Sequence, residues 1–191
     1  RVGKTFKNAR FSPTITLWYD NKSGNDDDDV NGNDYGAYNT VQDTGHKFYG
    51  LLDNYLSDIG DDTQRYGLED IAIKAKFNVS EKNVFKVDWH QFLTQTDLEG
   101  NDSDTIRAAA GGAFATTANN TGVLGNDLGQ EIDLTLVHKY DANTKIVTGY
   151  SHYFTTVTHS LLNGSAGATE DNTPDNNDDQ SWFYVMIDTT F

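Results

Sequence analysis

From Asp70 to Asn78 the chain reads DIAIKAKFN, with Ile71, Ile73, Ala75 and Phe77 on one parity and Asp70, Lys74, Lys76 and Asn78, together with Ala72, on the other. A period of two sustained over nine residues predicts a β-strand with one apolar and one wet face. Glu69 has the parity of the apolar face, which places it just outside the strand. Beyond the short segment VSEKN, 79–83, the alternation resumes over Val84 to Thr94, where Phe85, Val87, Trp89 and Leu93 oppose Lys86, Asp88 and His90. The two segments predict a hairpin with a tight connection.

The same grammar recurs along the chain. Leu128 to Tyr140 alternates Leu128, Ile132, Leu134 and Leu136 with Glu131, Asp133, Thr135 and Lys139. The turn DAN, 141–143, leads into a strand from Lys145 to Val157, whose two parities both mix apolar and polar residues and leave its facing open. Ser12 to Asp20 sets Ile15, Leu17 and Tyr19 against Thr14, Thr16 and Trp18, and at the end Phe183, Val185, Ile187 and Phe191 share a parity. The opening RVGKTF reads as the tail of one more strand, closed by a turn near Lys7 and Asn8. Short connections (79–83 and 141–143) alternate with long polar ones (21–69, 96–127 and 158–180), so the short turns fall at one end of the sheet. Loops of such length are uncommon in compact soluble domains.

Composition narrows the function classes. Among 191 residues, 14 Lys and Arg face 29 Asp and Glu, a net charge of −15, and the bases are scattered, which argues against a nucleic-acid partner. Zero Cys removes disulfides, thiolate metal sites and Cys nucleophiles together. No run approaches the roughly 18 apolar residues of a membrane-spanning helix. A spanning β-strand carries only about ten residues of alternating character, so the mean hydropathy of −0.64 does not argue against a membrane. The chain opens without Met or a signal segment, as a processed or truncated start would.

Alternation alone fits a soluble β-sandwich as well as a membrane barrel. Loop asymmetry, strands long enough to cross hydrocarbon at a tilt, and the terminal Phe191 favour the barrel. The polar residues Gln91, Gln130 and His138 on the prospective lipid face lie toward strand ends, where burial in lipid is least unfavourable. The expected fold is therefore all-β: a transmembrane antiparallel up-and-down β-barrel with short periplasmic turns and long acidic extracellular loops, in the outer membrane of a Gram-negative bacterium. Six or seven strands are too few to close such a barrel, since bacterial ones use eight or more. Residues 1–191 are accordingly expected to form a single β-barrel domain that is the C-terminal portion of a larger barrel.

Several stretches carry a family likeness: PTITLWYDNKSGND (Pro13 to Asp26), HKFYGLLDNY (His46 to Tyr55) followed by GLED (Gly67 to Asp70), LGQEIDLTLVHKYD (Leu128 to Asp141) and GYSHYF (Gly149 to Phe154). Together they resemble the alginate-export type of outer-membrane porin. The resemblance implies strands upstream of Arg1 and passage of an anionic polysaccharide or its fragments. With only 14 basic residues, this chain departs from a strongly basic pore.

On the barrel reading Lys74, Lys76, Lys86, Asp88, His90, Glu131, Asp133 and Lys139 point into the lumen, where mixed charge selects and orients solutes. The bland alternative is that these charges only solvate the lumen or pair across it. The run NDDDDVNGND, Asn25 to Asp34, starts like a calcium loop but has Tyr38 where an EF-hand needs its bidentate acid, so no metal site or cofactor is assigned. It and Asp171 to Asp179 read as solvated outer loops whose charge disfavours close packing, or as loops that bind divalent cations alongside lipopolysaccharide, and Ala108 to Ala115 as a small apolar patch folded inward or helical at the rim. Catalysis is not expected: His46, His90, His138, His152 and His159 show no metal-type pairing, and no nucleophile, base and orienter can be nominated around Ser151 or Ser160. The expected function is passive diffusion of hydrophilic, saccharide-like or anionic solutes, with membrane lipid and the barrel-assembly machinery (through the Phe191 strand) as partners. The competing class is a surface or soluble β-sandwich that binds glycans or calcium through acidic loops and buries the Ile71 to Phe77 face against a second sheet.

Overall fold

The computed structural model describes residues 1–25, 36–38, 48–55, 63, 65–96, 126–162 and 179–190. Within them the chain forms one sheet of seven antiparallel strands in strict sequence order. The strands are β1 (Val2–Thr5), β2 (Thr14–Lys22), β3 (Leu68–Asn78), β4 (Asn83–Leu93), β5 (Asp127–Lys139), β6 (Thr144–Thr155) and β7 (Gln180–Thr189), with a short helix α1 (Val157–Leu162) between the last two. Each strand pairs with its chain neighbours, an up-and-down meander that is open at β1 and β7.

The short connections lie at one end of the sheet, as expected, because Thr5 pairs with Thr14, Asn78 with Val84, and Lys139 with Lys145. Side chains cap these turns. The Asp141 carboxylate accepts from the backbone N–H groups of Asn143 (2.8 Å) and Thr144 (2.7 Å), and those bonds hold its carboxyl below the usual carboxylate range. Ser80 does the same in the β3–β4 turn, where its Oγ accepts from the N–H of Asn83 at 3.1 Å. The first connection is longer than the turn expected near Lys7 and Asn8: it runs from Phe6 to Pro13, with Phe11 and Ser12 at positive φ.

Two boundary expectations are corrected. Glu69 lies inside β3, paired with Asn21 and Leu93; its carboxylate accepts from Asn21 Nδ2 (2.6 Å) and the Tyr19 hydroxyl (3.1 Å), so a polar residue on the apolar face is satisfied near the strand end. β6 ends at Thr155 rather than Val157, and the residues that follow turn into α1. His152 and His159 therefore do not share a continuous strand.

Register fixes the two faces. One carries rows such as Leu17, Ile73, Trp89, Ile132 and Ile15, Ala75, Val87, Leu134, ending on Tyr150 and Phe183. The other carries Thr16, Lys74, Asp88, Asp133, Ser151, Trp182, and beside it Thr14, Lys76, Lys86, Thr135, Gly149, Tyr184. β6, which alternation alone leaves unassigned, thus turns Ser151 and Tyr153 to the polar face and Tyr150, His152 and Phe154 to the apolar one.

The distribution of exposure inverts that of a water-soluble sheet. On the apolar face Ile73 is 44% exposed, Val185 60% and Ile187 69%, whereas on the polar face Asp70, His90 and Glu131 are fully buried. No second sheet covers Ile71 to Phe77 among the described residues, contrary to the sandwich expectation. Gln91, Gln130 and His138 do lie near strand ends on the apolar face, each with a hydrogen-bond partner: Asp127 for Gln91, Trp89 for Gln130 and Asn83 for His138.

The hydrophobic core sits on the polar face at the end of the long connections. It consists of Tyr55, Tyr66, Leu68, Phe92, Leu128, Tyr153 and Leu162, with Tyr49 and Leu52 against it. Residues 48–55 and α1 lie there because their aromatic and aliphatic side chains meet Phe92 and Tyr153, the large apolar residues of that face.

Candidate functional site

All eight residues expected in the lumen, Lys74, Lys76, Lys86, Asp88, His90, Glu131, Asp133 and Lys139, share the polar face by register. They are not equivalent on it. Lys76, Lys86 and Lys139, toward the short-turn end, are exposed. Lys74 and Asp88 are half-buried and 3.5 Å apart. His90, Glu131 and Asp133 are buried, Glu131 beneath the segment 48–55.

The buried members form defined bonds. Lys74 Nζ stands 3.0 Å from His90 Nε2, and His90 Nδ1 is 2.8 Å from Asp70 Oδ1. A lysine ammonium has no lone pair to offer, so Nε2 accepts and the imidazole proton sits on Nδ1, from which it is donated to Asp70. The result is a relay of polarised groups, Lys74 to His90 to Asp70, with the His90 ring stacked on Phe92 at 5.4 Å. Ser151 Oγ donates to Asp133 Oδ1 at 2.6 Å.

Glu131 is held from above. Its Oε1 accepts from the backbone N–H groups of Leu51 (2.7 Å) and Leu52 (2.8 Å). Gly50 stands at φ +80°, and a Cβ there would overlap the Glu131 carboxylate, so the approach requires glycine on both counts. In the same segment Tyr49 donates its hydroxyl to Asp20 Oδ2 at 2.8 Å; burial and that carboxylate push its ionisation above the normal tyrosine range. Tyr153 donates to Leu128 O at 2.6 Å and lies 2.6 Å from the Tyr55 hydroxyl, which is 2.9 Å from His159 Nδ1.

Beside β1 and β2 opens a cleft of about 480 Å³ whose lining includes Arg1, Trp18, Lys22, Tyr38, Phe48 and Tyr49. Rings with adjacent cations fit the apolar face of a sugar and a carboxylate on it; Lys22 Nζ lies 5.3 Å from the Tyr38 ring centre and Lys74 Nζ 5.9 Å from that of Trp18. Across the sheet Trp182 stacks on Tyr184 at 4.6 Å, and the Tyr184 ring lies over Gly149 in space that a side chain there would occupy.

Sequence reasoning placed Asp70 on this face without nominating it for the site, and missed the segment 48–55 and α1 as parts of it. Asp70 already shared the parity of Lys74, and YGLLDNY is the most apolar stretch within a long polar connection. Among the described residues no group of three or more His, Asp and Glu is placed to hold a metal. Of the other candidates, Asn25 uses its Oδ1 to accept from Gly36 (2.9 Å) and Ala37 (2.7 Å). The rest of the Asn25 to Asp34 run, the Ala108 to Ala115 patch, 171–178, His46, Phe191 and the Ser160 side chain lie outside the described residues.

Comparison with known proteins decides the family. The profile described as alginate export matches residues 1–157, most of the chain. The chain belongs to the alginate export family. Members of the alginate export family are outer-membrane porins that serve transport, not enzymes. Searches of curated proteins and of solved structures return no match.

Burial holds His159 at a pKa of about 4, well below the ordinary 6.5. The unfolded or undocked state then takes up the proton first, so the docking of α1 is complete above pH 6.5 and is lost progressively as pH falls toward 4, by up to about 3 kcal/mol. Hydrogen exchange of the α1 amides, corrected for intrinsic rate, is expected to accelerate over that window and to lose the dependence in His159→Phe.

Proposed function

We propose that this chain forms part of the wall of a water-filled barrel that crosses the outer membrane, and that hydrophilic solutes, acidic saccharides foremost, diffuse passively along its polar face. The observation that carries this reading is the inverted exposure: an apolar face open to the surroundings, opposite a face of paired charges and hydroxyls. Hydrocarbon is the surrounding for which such a face is stable, and each strand from β3 to β6 is paired along both of its edges. Lys76, Lys86 and Lys139 are the exposed cations a passing carboxylate meets, while Lys74 and Asp88 supply a field across the path. The cleft at Trp18 adds rings on which a sugar can rest. Lipid contacts fall to Leu17, Ile73, Val185 and Ile187, and the acidic connections stand on the lipopolysaccharide side.

Single-channel recording on the complete native chain in planar bilayers tests this. Discrete openings are expected, together with block by oligouronate that weakens about fivefold in Lys76→Glu/Lys86→Glu, as expected when two attractive charges on the path are reversed. A protein that stays in solution without detergent and never inserts would instead establish the acidic-loop binding module.

A further inference from the structure

We propose that residues 48–55 form a constriction inside the lumen, seated on Glu131, and that this segment sets the largest solute that passes. The inference rests on the pore reading above and adds to it a residue-level determinant of size. The segment reaches residues of the polar face on several strands. Tyr49 reaches Asp20 on β2, Leu51 and Leu52 reach Glu131 on β5, and Tyr55 packs on Phe92 of β4 at 4.9 Å while meeting Tyr153 of β6. One short stretch is thus tied to four strands on the side where solute would travel.

The seat is specific. A carboxylate that accepts two successive backbone N–H groups needs a backbone that turns both toward it, and Gly50 at positive φ supplies that turn. Because Glu131 is fully buried, its carboxyl group serves the segment above it and not a passing solute. Glu131 is therefore a positioning residue: solute meets the segment, and Glu131 decides where the segment stands. The aromatic contacts of Tyr55 and the Tyr49 bond hold its two ends, so the constriction is fixed and not a swinging gate.

The test reads current. In the complete native chain, Gly50→Val places a branched side chain where the Glu131 carboxylate lies, and it is expected to raise single-channel conductance about twofold as the constriction lifts. Proteoliposome swelling should then admit oligosaccharides that the wild type excludes. Because Gly50→Val could disturb folding, Leu51→Cys supplies a second readout on a segment left in place, these 191 residues having no Cys of their own. A bulky thiol reagent added to open Leu51→Cys channels is expected to cut the current by about half or more. Wild-type openings with conductance unchanged in Gly50→Val and unaffected by the reagent in Leu51→Cys would overturn the constriction and leave the pore standing. A wild type that never conducts would overturn both.

Discussion

Ile73→Arg is expected to destabilise the membrane-embedded protein by about 2–4 kcal/mol, the penalty for a cation on the lipid side of a barrel at mid-depth. Ile73 is the central residue of β3, flanked across the strands by Leu17 and Trp89 on the apolar face. In a water-soluble sheet the same exchange at so exposed a position would change stability by no more than about 0.5 kcal/mol. The substitution therefore asks the surroundings what they are. Urea titration of protein folded into lipid vesicles, followed by tryptophan fluorescence, gives the answer, with Lys76→Arg on the opposite face as a silent control. A midpoint that Ile73→Arg leaves unmoved would remove hydrocarbon from the account.

Asp70→Ala is the second large effect. The substitution leaves the His90 Nδ1–H without its acceptor in a fully buried position, which costs about 1–3 kcal/mol. It also releases the far end of the relay that orients Lys74. Asp70→Asn keeps an acceptor for His90 but brings an amide N–H₂ to the place of Asp70 Oδ2, an oxygen with no hydrogen-bond partner. Asp70→Ala is thus expected to be the more harmful of the two, and both should lower the urea midpoint in vesicles. If the relay matters for the path, the oligouronate block should weaken in parallel, since Lys74 would lose the geometry that now places it between His90 and Asp88.

The sheet was legible because its signal is local and repetitive. Ile71, Ile73, Ala75 and Phe77 needed no partner to announce a strand, and the short turns at 79–83 and 141–143 declared its neighbours. The same rule misplaced Glu69, since alternation cannot know that Asn21 and Tyr19 stand across from it with donors to share. Nor could it orient β6: Val147 and Tyr153 are buried apolar residues on a polar face, Tyr153 against Tyr55, and Gly149 is bare because the Tyr184 ring needs its space. The candidate site was half visible. Parity gave the face on which Lys74, Asp88 and Glu131 stand, but not which of its residues a solute could reach. Exposure there is decided by residues 48–55, which are more than seventy positions from Glu131 in the chain, and by α1, whose six residues are too short for any periodicity to show.

The alternation of the two faces has a consequence for how such a chain arrives in a membrane. Taken one at a time, none of these strands prefers hydrocarbon, because half of its side chains are polar and its backbone donors and acceptors would be bare. An extended segment of this kind is too wet to halt in a translocation channel and too incomplete to enter a bilayer alone. Insertion and pairing must then be a single event, in which each strand becomes compatible with lipid only as its neighbours close its backbone and shelter its charges. The immediate-neighbour order from β1 to β7 suits that requirement, since every strand finds its partner next in line.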